Sequence, residues 1–443
     1  MKTGTRAALS DAGRRDLDEA IERADAAFNA MTGEAAAGHL FVPGRIEVLG
    51  KHSDYAGGTS LTGAVERGFA VAFSPRADRT LRIADAFDGR QMSVAVGPDL
   101  DPPIGQWTNY PMTVARRLAR NFPGLAAGAD VAFHSTLPRS AGLSTSSALI
   151  TAVYLVLAEA NDLEDRADFR DAIPTPTALA GYLGCIENGK AFGVLAGDMG
   201  VGTAGGSQDH TAILLSEAER LASYFYHPVT RLRQLQVPSH LTFVVGASGI
   251  VAAKTGDARD RYNRASALVA GLVDAWREST GGPEQTLGAI LANGRDATER
   301  LRAAVTARPP DSWPADALLR RLDHFIVEDG QILPAALDAF NAGDFDQFGA
   351  LVDRSQHAAE MLLGNQVPET IALARLAREH GAIAASSFGA GFGGSVWALI
   401  DVAHAEAFQR AWREAYRVSC PAASAQGARF FLTRPGPGAG RID

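Results

Sequence analysis

The stretch "GRIEVLGKHSDYAGG", residues 44–58, gathers Arg45, Glu47, Lys51, His52 and Asp54 between glycines. Charges this dense need a polar partner for every group that becomes buried. One familiar answer fails on spacing. A P-loop has four residues between its first Gly and the Gly-Lys pair, followed by Ser or Thr. Here five residues separate Gly44 from Gly50, and His52 follows Lys51. The segment "GHLFVPGRIEVLG" reads as a short strand running into the glycine-fenced loop.

Two more glycine-rich stretches bear on the reading. In "LPRSAGLSTSSALITA", residues 137–152, Gly142 permits a tight turn and a row of hydroxyls opens a helix. The exposed N–H groups of such a helix start attract anions such as phosphate. Ser144, Thr145 and Ser146 can add hydroxyl donors or reach a hydrated Mg²⁺. A single capping Ser would need no such explanation. In "SFGAGFGGSVWALI", residues 387–400, Gly389, Gly391 and Gly394 match the dinucleotide pattern G-x-G-x-x-G. A strand follows rather than a helix, so that reading fails its context test. "GVGTAG", Gly200 to Gly205, matches as well, which shows how little the bare pattern says. Small residues crowded at 389–394 instead let another chain segment or a ligand lie against the backbone.

Size and composition set the frame. The chain of 443 residues is long for one core and comfortable for two domains. Apolar residues make up 46% and charged residues 21%, a soluble globular mix. A net charge of −8 disfavours nucleic acid and membrane surfaces as partners. The start lacks a signal peptide's apolar run, and no stretch is long enough to span a bilayer. Two cysteines, Cys185 and Cys420, make neither a disulfide framework nor a zinc set. A cytoplasmic protein is expected, and the sequence leaves its oligomeric state open.

Residues 14–32 have the spacing of an amphipathic helix. Strands are expected around 69–97, 130–138 and 240–248, and "ALITAVYLVLAEA" reads as a buried helix. Residues 176–192 and most of 259–380 have helical patterns, 381–401 reads as loop then strand, and 403–418 as a helix. This predicts an α+β protein with domains 1–215 and 216–443. There is no internal repeat.

Taken together and in order, the three glycine-rich stretches resemble the signature motifs of the GHMP kinases. That superfamily takes its name from galactokinase, homoserine kinase, mevalonate kinase and phosphomevalonate kinase. The G-R-x-x-x-x-G-x-H-x-D-Y-x-G-G pattern of the first is similar to the galactokinase branch, where it binds the sugar. "QWTNYPMTVARRL", residues 106–118, is similar to a galactokinase segment near the nucleotide, and "YNRASALV" after Tyr262 faintly echoes another. The resemblance runs from about residue 40 to about residue 435. It implies the two-domain GHMP kinase fold, with ATP and sugar in the cleft between domains.

It also implies roles. Gly142, Leu143, Ser144, Thr145, Ser146 and Ser147 would wrap the phosphates of ATP, with Trp107 beside the nucleotide. Ser146 would hold Mg²⁺ with Glu187, which lies in "GYLGCIENGKAFG" at the position of the family's metal carboxylate. The catalytic carboxylate would be Asp209 in "GGSQDHTAILL", with Arg45 keeping it ionised. His52, Asp54 and Tyr262 would bind the sugar. Two departures stand out: the loop between Glu187 and Asp209 is longer than the family's, and His210 replaces a Gln. A third concerns Lys51, where galactokinases usually have a Glu that accepts from the sugar's C6 hydroxyl. An ammonium has donors and no acceptor, so Lys51 either meets an acidic group there, as in a uronic acid, or pairs with Glu47 four residues earlier or points to solvent. The expected function is an ATP-dependent kinase making a sugar 1-phosphate from galactose or a related sugar. The alternatives are a kinase for a uronic acid or other modified sugar, and a galactokinase-like sensor that binds without turnover.

Overall fold

The computed structural model describes residues 4–138, 141–250, 257–310 and 312–442. Two antiparallel-rich sheets stand at its centre. The first comprises β1 (Gly38–Leu49), β2 (Thr59–Pro75), β3 (Thr80–Asp85), β4 (Gln91–Ala95) and β5 (Ala129–Ser135). The hairpin β6 (Arg220–Tyr226) and β7 (Val229–Gln236) joins it. The second contains β8 (Leu241–Ala247), β9 (Ala384–Phe388), β10 (Ser395–Asp401) and β11 (Arg429–Thr433) in the order β11-β8-β10-β9. Two short strands, β12 (Pro435–Gly436) and β13 (Gly440–Arg441), return to the first sheet. There they pair with β2 and β1.

The expected division at residue 215 falls within the connectivity of the first sheet. Hairpin β6–β7 pairs with β2, and the last strands add to its other side. That sheet therefore draws on both 1–215 and 216–443. The hairpin escaped the sequence reading because "TRLRQLQ" does not alternate: its two apolar residues, Leu232 and Leu235, lie three positions apart. Strand β9 was expected as loop because "AASSF" has little β-propensity. It forms because β10 supplies its ladder and the buried hydroxyls of Ser386 and Ser387 both donate to Gln356 Oε1.

The helix Asp11–Thr32 covers one face of the first sheet through Leu17, Ala20, Ala24 and Phe28. Ser10 caps its start and Gly33, at φ 78°, its end. The helix Thr145–Ala160 is buried on nearly every side, as its unbroken apolar run requires. Even-numbered side chains of β1, including Ile46 and Val48, enter a core shared with that helix. Phe243, Trp397 and Phe431 of the second sheet enter the same core, so the two halves share one apolar interior. The odd-numbered Arg45 and Glu47 fall on the other face of β1, bracketed by two irregularities in its pairing with β2. The helices Pro368–Glu379 and Ala405–Ser419 cover the second sheet's outer face. A separate core forms from Asp257–Thr280, Arg295–Ala307 and Ala315–Val327, and Ala56 of the charged loop is sealed into it. Among the described residues no helix is long and apolar enough to cross a membrane.

Candidate active site

A cavity of about 740 Å³ opens where the three glycine-rich stretches meet. Its wall includes Arg45, Glu47, His52 and Asp54 from the charged loop and its strand, and Gly142, Ser144, Thr145 and Ser146 from the hydroxyl row. Glu187, Gln208, Asp209, Tyr262, Gly389 and Gly394 complete that side. A separate set, Phe69, Phe87, Trp107, Tyr110 and Phe133, gives the cavity an aromatic wall, with the Arg90 guanidinium 5.4 Å from the Trp107 ring centroid.

Arg45 ties the parts together. Its Nε donates to Asp209 Oδ1 at 2.7 Å and its Nη1 to the Gly142 carbonyl at 2.7 Å. Burial alone would weaken its hold on its proton, but the charges of Asp209 and Glu47 raise its pKa further. Gly389, at φ 79°, lies so close to the hydroxyl row that a Cβ there would sit 2.9 Å from the Gly142 carbonyl. Ser395 Oγ donates to the Ala141 carbonyl at 2.6 Å. The third stretch is thus a backbone-to-backbone brace for the second, as its small residues led us to expect.

Ser144 opens the helix Thr145–Ala160 at φ 61°, and its side chain caps nothing. Its buried hydroxyl has no hydrogen-bond partner and faces the cavity. The first N–H groups of a helix also lack intrahelical partners. Together these make a receptor for an anion.

Ser146 and Glu187 both line the cavity. Glu187 Oε2 accepts from Ser147 Oγ at 2.7 Å and lies 2.9 Å from His210 Nε2. Ser147 Oγ also lies 3.3 Å from Asp209 Oδ2. The departure at His210 is therefore accommodated: its ring is fully buried, held by Glu187 on one side and Thr151 on the other. Ser147 sits beneath the wall and Leu143 is fully buried, its carbonyl accepting the Arg45 backbone N–H. Neither lines the cavity.

Asp54 Oδ1 accepts the Tyr55 N–H at 2.8 Å and Oδ2 the Gln208 N–H at 3.2 Å. Burial, then the charge of Asp209, raises its pKa. A Cβ on Gly206 would fall 2.4 Å from Asp54 Oδ2, so only glycine lets the two segments meet. His52, at φ 55°, is gripped from behind. Its carbonyl accepts from Arg321 Nη2 at 2.5 Å and its Nδ1 pairs with the Tyr55 hydroxyl. The Tyr262 ring packs 5.4 Å from that of His52.

Lys51 is the exception. It is 1% exposed, its ammonium donates to Ser355 Oγ at 2.8 Å, and it does not line the cavity. The sequence expectation that it meets a sugar's C6 group finds no support in this geometry. The reason lies in Glu328, whose Oε1 accepts from Gly50 N, Lys51 N and Ser355 Oγ. That carboxylate draws the lysine backward. Asp198, a carboxylate in the long loop before Asp209, is also turned away, locked between Arg116 and Arg117.

Sequence reasoning missed Glu47, which the cavity shows as buried and facing inward. Burial is the main cause that pushes its carboxyl up to about 7, against the pull of Arg45 and Lys51. The available signal was its place two residues after Arg45 on the same strand face.

Comparison with known proteins places the chain among galactokinase-like sequences. Residues 26–75 match the galactokinase galactose-binding signature, 109–172 the GHMP kinases N terminal domain and 336–418 the GHMP kinases C terminal domain. A galactokinase of Enterococcus faecalis is 26% identical over 399 residues, covering 88% of this chain and 92% of the relative. One of Roseiflexus sp. is 27% identical, covering 91% and 93%. The crystal structure of Lactococcus lactis galactokinase complexed with galactose superposes with a TM-score of 0.77 at 22% identity, over 94% of this chain and 98% of that one. A mevalonate kinase from Methanococcus jannaschii gives 0.52 at 10% identity, over 90% and 98%, so the fold extends beyond sugar kinases.

Proposed function

Because the chain belongs to the GHMP kinase superfamily, in its galactokinase-like branch, we propose that it phosphorylates the anomeric hydroxyl of galactose or a closely related sugar with ATP. The product is the sugar 1-phosphate. The observation that carries this reading is the Asp209 carboxylate, held by Arg45 in the wall between the charged loop and the hydroxyl row.

Asp209 orients the anomeric hydroxyl and takes its proton as the oxygen bonds to the γ-phosphorus and the bond to the β-phosphate oxygen breaks. A carboxylate paired with a guanidinium is a weak base, so orientation and charge stabilisation outweigh proton removal. Arg45 spreads its charge between Asp209 and the Gly142 carbonyl. The helix start at Thr145 and the Ser144 hydroxyl receive the phosphates. Trp107 and its aromatic neighbours form the surface for the nucleotide base. His52, Asp54 and Tyr262 enclose the sugar.

The donor set fits Mg²⁺. The Ser146 hydroxyl and Glu187 carboxylate are hard oxygen ligands, and Mg²⁺ keeps waters and phosphate oxygens for the rest of its shell. Among the described residues no cluster of three or more His, Cys, Asp or Glu forms a ready metal centre. Such a site would therefore be completed by the nucleotide. When bound, Mg²⁺ neutralises charge on the transferring phosphates. We read the enzyme as cytoplasmic, in keeping with its two free cysteines, and its partner as a small-molecule sugar.

The test is a panel of hexoses, pentoses and uronic acids with ATP and Mg²⁺, reading ADP release and the phosphorus NMR signal of the product. Galactose or a near relative should give a 1-phosphate. Sugar and ATP binding without ADP release from any of them would favour a sensor instead.

A further inference from the structure

Three carboxylates, Glu47, Asp54 and Asp209, face the part of the cavity read above as the sugar site. Their oxygens are not equally occupied. Both oxygens of Asp54 accept backbone N–H groups. Asp209 is held by Arg45 and lies near Ser147. Glu47 is 3% exposed; its Oε2 accepts from Gln208 Nε2 at 2.8 Å, while its buried Oε1 has no hydrogen-bond partner. A buried carboxylate oxygen without a donor is unstable unless a ligand or water supplies one. Gln208 directly precedes Asp209 on the same helix, Gln208–Leu215, so the group holding Glu47 is fixed beside the proposed catalytic carboxylate.

The surrounding charge decides what that donor belongs to. Arg45 is engaged by Asp209 and Gly142, and Lys51 points to Ser355. A sugar acid would bring its anion toward Glu47, Asp54 and Asp209. A neutral sugar offers hydroxyls, which donate.

We propose that Glu47 determines sugar specificity: its Oε1 accepts a hydrogen bond from one hydroxyl of a neutral sugar, and the carboxyl wall it forms with Asp54 and Asp209, with Arg45 and Lys51 engaged elsewhere, offers an acidic sugar's anion no partner. This rests on the sugar-kinase reading above.

The experiment compares wild type, Glu47→Gln and Glu47→Asp on galactose, the set of monodeoxygalactoses and galacturonate, at saturating ATP. Thermal melts and ATP binding check the fold of each variant. In wild type, one monodeoxygalactose should lose about 10- to 100-fold in kcat/KM relative to galactose. Glu47→Gln should erase most of that particular penalty, because its own galactose rate has already fallen. Glu47→Asp keeps a carboxyl in the wall but withdraws the oxygen, so it should lose galactose turnover and still reject galacturonate. Folded variants that match wild type on every sugar overturn the inference while leaving the kinase reading intact. If neither variant folds, wild type alone decides. Equal turnover of galactose and galacturonate, or of galactose and every monodeoxy analogue, overturns it. If wild type phosphorylates no sugar at all, the kinase reading itself fails.

Discussion

Replacing Lys51 by Glu restores the residue usual in galactokinases, and the structure says it should damage the protein rather than retune it. The side chain is 1% exposed, and its ammonium donates to Ser355 Oγ. That same hydroxyl donates to Glu328 Oε1 at 3.0 Å, and Glu328 is fully buried. A π-helical turn, Glu328–Ile332, follows the helix Ala315–Val327 and presents this carboxylate to the loop. Lys51→Glu removes the positive charge that balances Glu328 and adds a second buried anion. Breaking a buried charge arrangement this way costs about 3–5 kcal/mol. That is a large share of a total stability of roughly 5–15 kcal/mol. With about 2.1 cal/mol/K of unfolding entropy per residue over 443 residues, the melting temperature should fall by roughly 3–5 °C. Lys51→Met keeps the bulk and loses only the hydrogen bond and charge balance, so it should be milder. The assay pairs thermal denaturation with galactose and galacturonate turnover at saturating ATP. A Lys51→Glu protein that melts like wild type and has exchanged galacturonate for galactose would refute this reasoning. It would revive the expectation that the ammonium meets a sugar carboxylate.

Other variants separate the remaining roles. Asp209→Asn should retain ATP binding and lose roughly 10²–10⁴-fold in kcat; near-normal turnover in a folded variant would remove Asp209 from the mechanism. Ser146→Ala and Glu187→Gln should raise the Mg²⁺ concentration needed for half-maximal rate, whereas a purely structural role would lower stability and leave the Mg²⁺ titration in place. Glu47 gives a pH prediction, because its carboxyl is pushed up from 4.5 to about 7 in the fold. The folded chain then holds a proton that the unfolded chain has released, so this contribution is full below the unfolded value and is lost as pH rises through 7. It amounts to roughly 3 kcal/mol. Melts of wild type and Glu47→Gln should therefore shift in the variant's favour between about pH 5 and about pH 8.5, and the opposite order would contradict the assignment.

The sequence made the motif-bearing parts of the site legible because backbone geometry constrains them. Gly142 and Gly389 lie where a side chain would strain or crowd the backbone, and the charged loop shows its chemistry in its composition. Asp209 and Glu187 were reachable only through resemblance, since nothing in their local patterns separates them from surface acids. What stayed hidden depends on tertiary packing. Lys51 has the same local sequence whether it faces the cavity or Ser355; Glu328, 277 residues away, decides the matter. Hairpin β6–β7 and strand β9 were missed for a related reason. Their pairing with β2 and β10 outweighs weak local propensity.

Arg45 shows why three separated stretches belong to one site. Its guanidinium reaches Asp209, the Gly142 carbonyl of the hydroxyl row and, through close approach, the backbone of Gly389. The Phe388 ring lies 5.7 Å from it. Two of those contacts are hydrogen bonds from different nitrogens at a fixed angle to each other. A lysine ammonium is a point charge on a flexible stem and has no such fork. Motion of the hydroxyl row therefore moves the donor that holds Asp209, and motion of the glycine brace moves the row. The carboxylate and the phosphate receptor are thereby fixed relative to each other before any substrate enters. Pre-organisation of this kind is what phosphoryl transfer asks of a protein, since positioning and charge stabilisation supply most of its rate.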